Sequence, residues 1–96
     1  MTGMIYDSEA AVIEDILGEP MQELKAKRKC AVVHRNYLMR TQPERKLKAL
    51  IKAGVISEEF VTTRMSGIRF IYRLTDQGFT WLAKTLNVTT IKLKEE

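Results

Sequence analysis

The sequence has 96 residues, of which 45% are hydrophobic and 29% are charged, a size and composition typical of one ordinary globular domain. Its single cysteine, Cys30, and its single histidine, His34, exclude an internal disulfide and a usual structural zinc site. No apolar run approaches the ~20 residues that span a bilayer, and the N-terminus lacks the order of a signal peptide. We therefore expect a cytoplasmic protein with no membrane partner, no metal and no cofactor.

The formal net charge of +4 is unevenly distributed along the chain. Residues 1–20 carry −5, residues 21–52 carry +8 and residues 53–96 carry +1. A basic excess confined to one segment is expected of a surface that binds a polyanion. A solvated basic surface without a partner would give the same pattern, so charge alone does not decide between them.

The first predicted element is a helix over residues 7–17. Asp7 or Ser8 can cap it, and Gly18 and Pro20 can end it. Its apolar residues share one face: Val12, Ile13, Ile16 and Leu17. The outer face is acidic, so this helix either packs on its own domain or contacts a second protein.

Residues 21–39 are ambiguous. We predict two helical pieces with a break near Lys29, the second leading into a turn at residues 39–41. The β-branched pair Val32–Val33 also fits a short strand, and one continuous helix over 21–39 is a third possibility.

A better-defined helix is predicted over residues 42–53. Thr41 and Glu44 have the spacing of a capping box, and Gly54 can end the helix in a left-handed conformation. Helical periodicity places Leu47, Leu50 and Ile51 inward. The opposite face is basic and consists of Gln42, Arg45, Ala49 and Lys52, flanked by Lys46 and Lys48.

After Gly54 the hydrophobic period changes from 3.6 to 2. Residues 59–74 predict a β-hairpin that turns at Ser66-Gly67, with basic residues Arg64 and Arg69 near its tip. A last helix is expected from a Thr75 cap to Asn87, and residues 87–96 form either a terminal strand or a frayed tail.

Two segments in this order resemble winged helix-turn-helix DNA-binding regulators of bacteria, archaea and phages. They are LKALIKAGVI at residues 47–56 and YRLTDQG at residues 72–78. The second is similar to the Y-x-L-T-x-x-G segment that closes the wing in MarR-like and PadR-like repressors. The resemblance implies an α+β, mostly helical domain over residues 1–96: a winged helix-turn-helix with a two-stranded β-hairpin wing and flanking N- and C-terminal helices. Its core would lie at about 21–86, with 7–17 as an extra N-terminal helix and 87–96 as a tail or terminal strand.

The same resemblance implies a nucleoid-associated transcriptional repressor or regulator that binds double-stranded DNA as a homodimer. Helix 42–53 would enter the major groove and hairpin 59–74 would act as the wing. Its recognition-helix contacts would be Thr41, Gln42, Arg45, Lys46, Lys48, Ala49 and Lys52. The wing contacts would be Arg64, Ser66 and Arg69, and further DNA-backbone contacts would come from Lys27, Arg28, Arg35 and Arg40.

Two other functions are compatible with the sequence. One is a winged-helix adaptor in plasmid or phage replication or partition, and the other is a winged helix that contacts protein or RNA, with the acidic N-terminal helix binding a protein partner. An enzyme is not expected, because one histidine, one cysteine and scattered carboxylates supply no nucleophile–base pair or metal cage.

Overall fold

The computed structural model describes residues 7–65 and 67–94. These residues form four α-helices and five β-strands. The helices are α1 (Asp7–Leu17), α2 (Met21–Ala26), α3 (Lys48–Lys52) and α4 (Asp76–Leu86), and a 3₁₀ turn over Arg45–Leu47 leads directly into α3. The strands are β1 (Cys30–Val33), β2 (Leu38–Arg40), β3 (Ile56–Thr63), β4 (Gly67–Leu74) and β5 (Thr90–Leu93). The fold is therefore α+β, with a larger share of strand than we predicted.

The strands form two separate sheets. β2, β4 and β3 make an antiparallel sheet in that order, and β1 pairs with β5 in parallel. The predicted hairpin is confirmed, with Phe60 opposite Phe70 at its centre. Thr63 lies opposite Gly67, so Gly67 belongs to β4 and not to the turn, while Ser66, the other residue of the predicted turn, lies outside the described residues.

The core lies between α1, the three-stranded sheet and α4. The predicted inner face of α1 is buried, as are Leu47 and Leu50 from the helical segment and Tyr72 and Leu74 from β4. Gly78 lets the first turn of α4 approach the base of the hairpin, because a Cβ there would overlap the carbonyl oxygen of Val55. This close approach explains why the YRLTDQG segment ends in glycine.

The prediction of a helix in residues 30–39 is wrong, because this stretch contains strands β1 and β2. The chain turns at Arg28, whose φ is 53°, and Val32 then pairs with Lys92 in β5. Met39 lies opposite Ile71, so β2 extends the hairpin sheet. The short-strand alternative for Val32–Val33 was the right one. The predicted turn at residues 39–41 is wrong as well, because Met39 and Arg40 belong to β2.

The helix predicted over 42–53 is shorter and begins later, with helical structure over residues 45–52. We call residues 45–52 the basic helix. The predicted capping box is also wrong: Glu44 itself is the N-cap, and its side chain accepts a hydrogen bond from the Lys46 N–H at 3.3 Å. Glu44 has an extended backbone because its own N–H donates to the Tyr72 hydroxyl at 2.7 Å.

The predicted boundaries of the last helix are confirmed. The Thr75 hydroxyl accepts from the Gly78 N–H at 2.9 Å and caps α4, while Asn87 ends that helix in a left-handed conformation. The C-terminal segment is a strand, β5, and not a frayed tail.

Candidate nucleic-acid interface

The basic helix presents its cations to solvent. Leu47 and Leu50 fix its inner face in the core, so the other side of the helix points outward. All of its polar or small predicted contact residues are exposed: Arg45, Lys46, Lys48, Ala49 and Lys52. Among residues 7–65 and 67–94, none of these cations forms an ion pair with a carboxylate. Their charge is therefore available to an external anion.

Thr41 and Gln42 are exposed but do not belong to the helix. They lie in the turn between β2 and Glu44, so their side chains approach a partner from a loop. Arg40 at the end of β2 anchors this turn, with a nitrogen 3.3 Å from an Asp15 carboxylate oxygen and another 4.0 Å from Glu44. The turn is thus tied to α1 on one side and to the basic helix on the other.

The buried Tyr72 hydroxyl fixes the start of the basic helix. It accepts from the Glu44 N–H and donates to a Glu58 carboxylate oxygen at 2.6 Å. Burial, followed by the hydrogen bond to Glu58, raises the pKa of Tyr72 to about 12. The hydroxyl therefore keeps its proton at neutral pH and holds the hairpin and the basic helix in one arrangement.

The hairpin carries opposite charges at its two ends. Near its base, Glu58 binds Tyr72 and Glu59 lies 3.4 Å from Arg73. At the tip Arg64 is exposed, whereas Arg69 is half-buried and donates to the Ile68 carbonyl at 3.1 Å. Ser66 lies outside the described residues. At ~3.4 Å per residue, Arg64 is roughly 20 Å along the strand from Glu58, so the basic tip is distinct from the basic helix.

Three of the four predicted DNA-backbone residues outside the basic helix make polar contacts within the chain. Lys27 pairs with Glu19 at 3.5 Å, and Arg40 pairs with Asp15 as described. Arg35 donates to the last carbonyls of α1, those of Asp15 and Ile16, and its guanidinium lies 5.6 Å from the centre of the Tyr37 ring. These three cations are thus engaged by Asp15, by the C-terminal end of α1 and by Glu19, which follows α1. Arg28 is exposed in the turn before β1.

Sequence reasoning missed two features of this region. One is the role of Tyr72, whose hydroxyl links Glu44 to Glu58. The other is an exposed apolar patch on the hairpin, where Phe60 is 69% exposed, Met65 98% and Ile68 50%. The available signal was the apolar content of both hairpin strands, which exceeds what one buried face needs.

The described residues hold neither a cluster of metal-ligating side chains nor a membrane-spanning helix. Within 7–65 and 67–94 no three His, Cys, Asp or Glu side chains cluster in a way that could hold a metal ion. In the same ranges, no helix has the length and apolar character needed to cross a membrane. Comparisons with protein-family models, with curated proteins and with solved structures gave no match.

Proposed function

We propose that the protein binds double-stranded DNA as a transcriptional regulator, with the basic helix against the major groove and the hairpin tip against flanking phosphates or the minor groove. The observation that carries this proposal is the contrast between two sets of cations. Arg35 and Arg40 are engaged by α1 and Lys27 by Glu19, whereas the cations of the basic helix make no ion pair within the described chain. A cluster of unpaired cations on one rigid element is the electrostatic footprint of a polyanion-binding surface.

The dimensions of the basic helix agree with a groove contact. An α-helix with its side chains is about 10–12 Å in diameter. The major groove is about 12 Å wide and accepts a helix. Arg45 and Lys46, in the first turn, would read guanine edges, while Ala49 leaves room for close approach and can contact a thymine methyl.

We also propose that the fold is a variant of the winged-helix arrangement. Residues 45–86 keep the order helix, hairpin, helix, and β2 adds a third strand beside the hairpin. The supporting helix of a helix-turn-helix would be replaced by β2 and by α1, which packs against the basic helix through the core. A regulator of this kind needs no catalytic group.

Selection of bound sequences from random duplexes tests the proposal. We expect Arg45→Ala to remove sequence preference at a cost of ~1–3 kcal/mol, because a bidentate contact to a base is lost. Arg64→Ala should weaken binding to all sequences alike, because a phosphate contact carries no sequence information. Lys84→Gln is the control, because Lys84 is exposed on α4, and it should change neither the sequence preference nor the affinity. Unaltered binding in both arginine variants would show that this surface does not contact DNA.

A further inference from the structure

The outer edge of β3 is the most conspicuous feature that the proposed function leaves unexplained. β3 is eight residues long and lies at the edge of the sheet order β2-β4-β3. Among the described residues no strand covers this edge. Proteins usually protect such an edge with short strands, prolines or inward-pointing charges, because an open one pairs readily with another chain.

The hydrogen-bond pattern shows which backbone groups of β3 are open. The Thr75 N–H donates to the Val55 carbonyl at 3.1 Å, so this opposing pair is a hydrogen-bonded one. Bonded pairs alternate along antiparallel strands, so the even-numbered residues of β3 direct their N–H and C=O groups away from β4. The Asn36 side chain bonds both backbone groups of Leu74 on the other side of β4, at 2.9 and 3.1 Å, as the same alternation requires. Phe60 and Thr62 therefore present free donors and acceptors to the open edge.

We propose that a second copy of this chain occupies this edge, with the two β3 strands pairing antiparallel about a two-fold axis at Phe60. Side-chain charge selects the register. Centring the pair on Glu58 or Glu59 would place like charges directly opposite each other, which is unfavourable. Centring it on Phe60 places Glu59 opposite Val61, Glu58 opposite Thr62, and Ile56 opposite Arg64.

This register also covers the exposed aromatic side chain of β3. Phe60 and Phe70 already face each other across the hairpin, with ring centroids 6.5 Å apart. Pairing about Phe60 extends them into a row of four rings across a six-stranded sheet. Directly opposed aromatic side chains stabilise antiparallel pairs beyond their area of burial. A partner that merely covered the hairpin face would leave the open backbone groups unpaired.

The arrangement of the two copies rests on the proposed function and extends it. Glu58 and Tyr72 share the sheet face that contacts the basic helix, so a two-fold axis perpendicular to the sheet puts both basic helices on that face. β3 begins four residues from Phe60, so at ~3.4 Å per residue the two Ile56 positions, to which the chain leads from the basic helices, lie roughly 27 Å apart along the strands. Half-sites one DNA turn apart are separated by ~34 Å. The dimer therefore matches a palindromic site with roughly 10-bp spacing.

Sedimentation of the full chain without DNA, over a range of protein concentrations, tests the interface. The wild type should reach dimer mass. Phe60→Lys should weaken dimerisation roughly tenfold or more, because an aromatic pair is replaced by two like charges at the axis. Ile68→Lys places the same charge on the same sheet face but on β4, away from the edge, and should remain dimeric. A monomeric wild type, or equal loss in both variants, would overturn the proposal.

Two further variants test the backbone pairing itself. Thr62→Pro removes a donor that points to the open edge, so it should abolish the dimer while leaving the circular dichroism spectrum and urea midpoint near those of the wild type. Cys30→Ser/Phe60→Cys should form a disulfide-linked dimer on mild oxidation, since directly opposed residues have Cα atoms ~5.5 Å apart. Failure to cross-link at a protein concentration where the reduced variant sediments as a dimer would overturn the register. A dimer that does not bind DNA would overturn only the proposed function, and a monomer that binds DNA would overturn only this interface.

Discussion

Replacing Gly78 with alanine tests the packing of α4 against the hairpin base. Helix propensity predicts a rise in the free energy of unfolding, and steric overlap predicts a fall. Alanine in a helix is favoured over glycine by ~1 kcal/mol. The added Cβ, however, would overlap the Val55 carbonyl oxygen and lie 3.0 Å from a Leu74 methyl group. Over-packing of this kind costs ~1–3 kcal/mol. The Val55 carbonyl also accepts the Thr75 N–H, so its displacement weakens a hydrogen bond worth ~1 kcal/mol.

The steric term is the larger one, so we expect Gly78→Ala to lower the free energy of unfolding by roughly 1–3 kcal/mol. In urea denaturation this corresponds to a fall in midpoint of about 1 M, given an m-value of ~1–3 kcal/mol/M. Thr80→Ala in the same helix is the matched control, because Thr80 is exposed and alanine there should be neutral or slightly stabilising. If Gly78→Ala raised stability as much as helix propensity alone predicts, the close approach of α4 to Val55 would be refuted.

Further predictions follow from the contacts around the interface. Tyr72→Phe leaves the Glu44 N–H and the Glu58 carboxylate without their shared partner and should cost ~1–3 kcal/mol in urea denaturation. Because the pKa of Tyr72 is raised to about 12 from an unfolded value of ~10, its stabilising proton is retained below pH ~10 and lost as pH rises through 12. The wild type should therefore lose more stability than Tyr72→Phe over that interval, and equal losses would contradict the burial of this hydroxyl. Arg35→Ala should lower the thermal midpoint, at a cost of ~1–2 kcal/mol, because the end of α1 loses its donor, whereas Arg28→Ala at an exposed turn should not.

The parts of the fold that could be predicted from sequence are those fixed by local chemistry. The end of α1 follows from helical periodicity and Gly18, and the hairpin from alternation over 59–74. The start of α4 follows from the hydroxyl of Thr75. In each case the residues that decide the structure lie within a few positions of the element that they define.

Residues 30–40 could not be assigned because a distant partner decides their structure. Val32–Val33 fits a helix or a strand locally, and its pairing with Lys92–Leu93 makes it a strand. The start of the basic helix was misplaced for a similar reason, since Tyr72 holds the Glu44 N–H from 28 positions away.

The same limit applies to the candidate site. Composition identifies a basic segment, but only the packing of α1 shows that Arg35 and Arg40 are engaged by it. The cations of the basic helix differ from these two in making no ion pair within the described residues. Such contacts join residues that are distant in sequence, so a local sequence pattern does not predict them. The sequence therefore identifies the basic segment, and the structure shows which of its cations are engaged within the chain.

The salt dependence of duplex binding tests the central claim most directly. Each phosphate that a cation neutralises contributes about −0.9 to the slope of log K against log salt concentration. If Lys48 and Lys52 contact phosphates, Lys48→Gln/Lys52→Gln should reduce the magnitude of that slope by roughly 1.8, while Lys84→Gln/Lys92→Gln should leave it unchanged. The same slope in both double variants, or binding by the wild type that does not respond to salt, would contradict DNA binding through the basic helix.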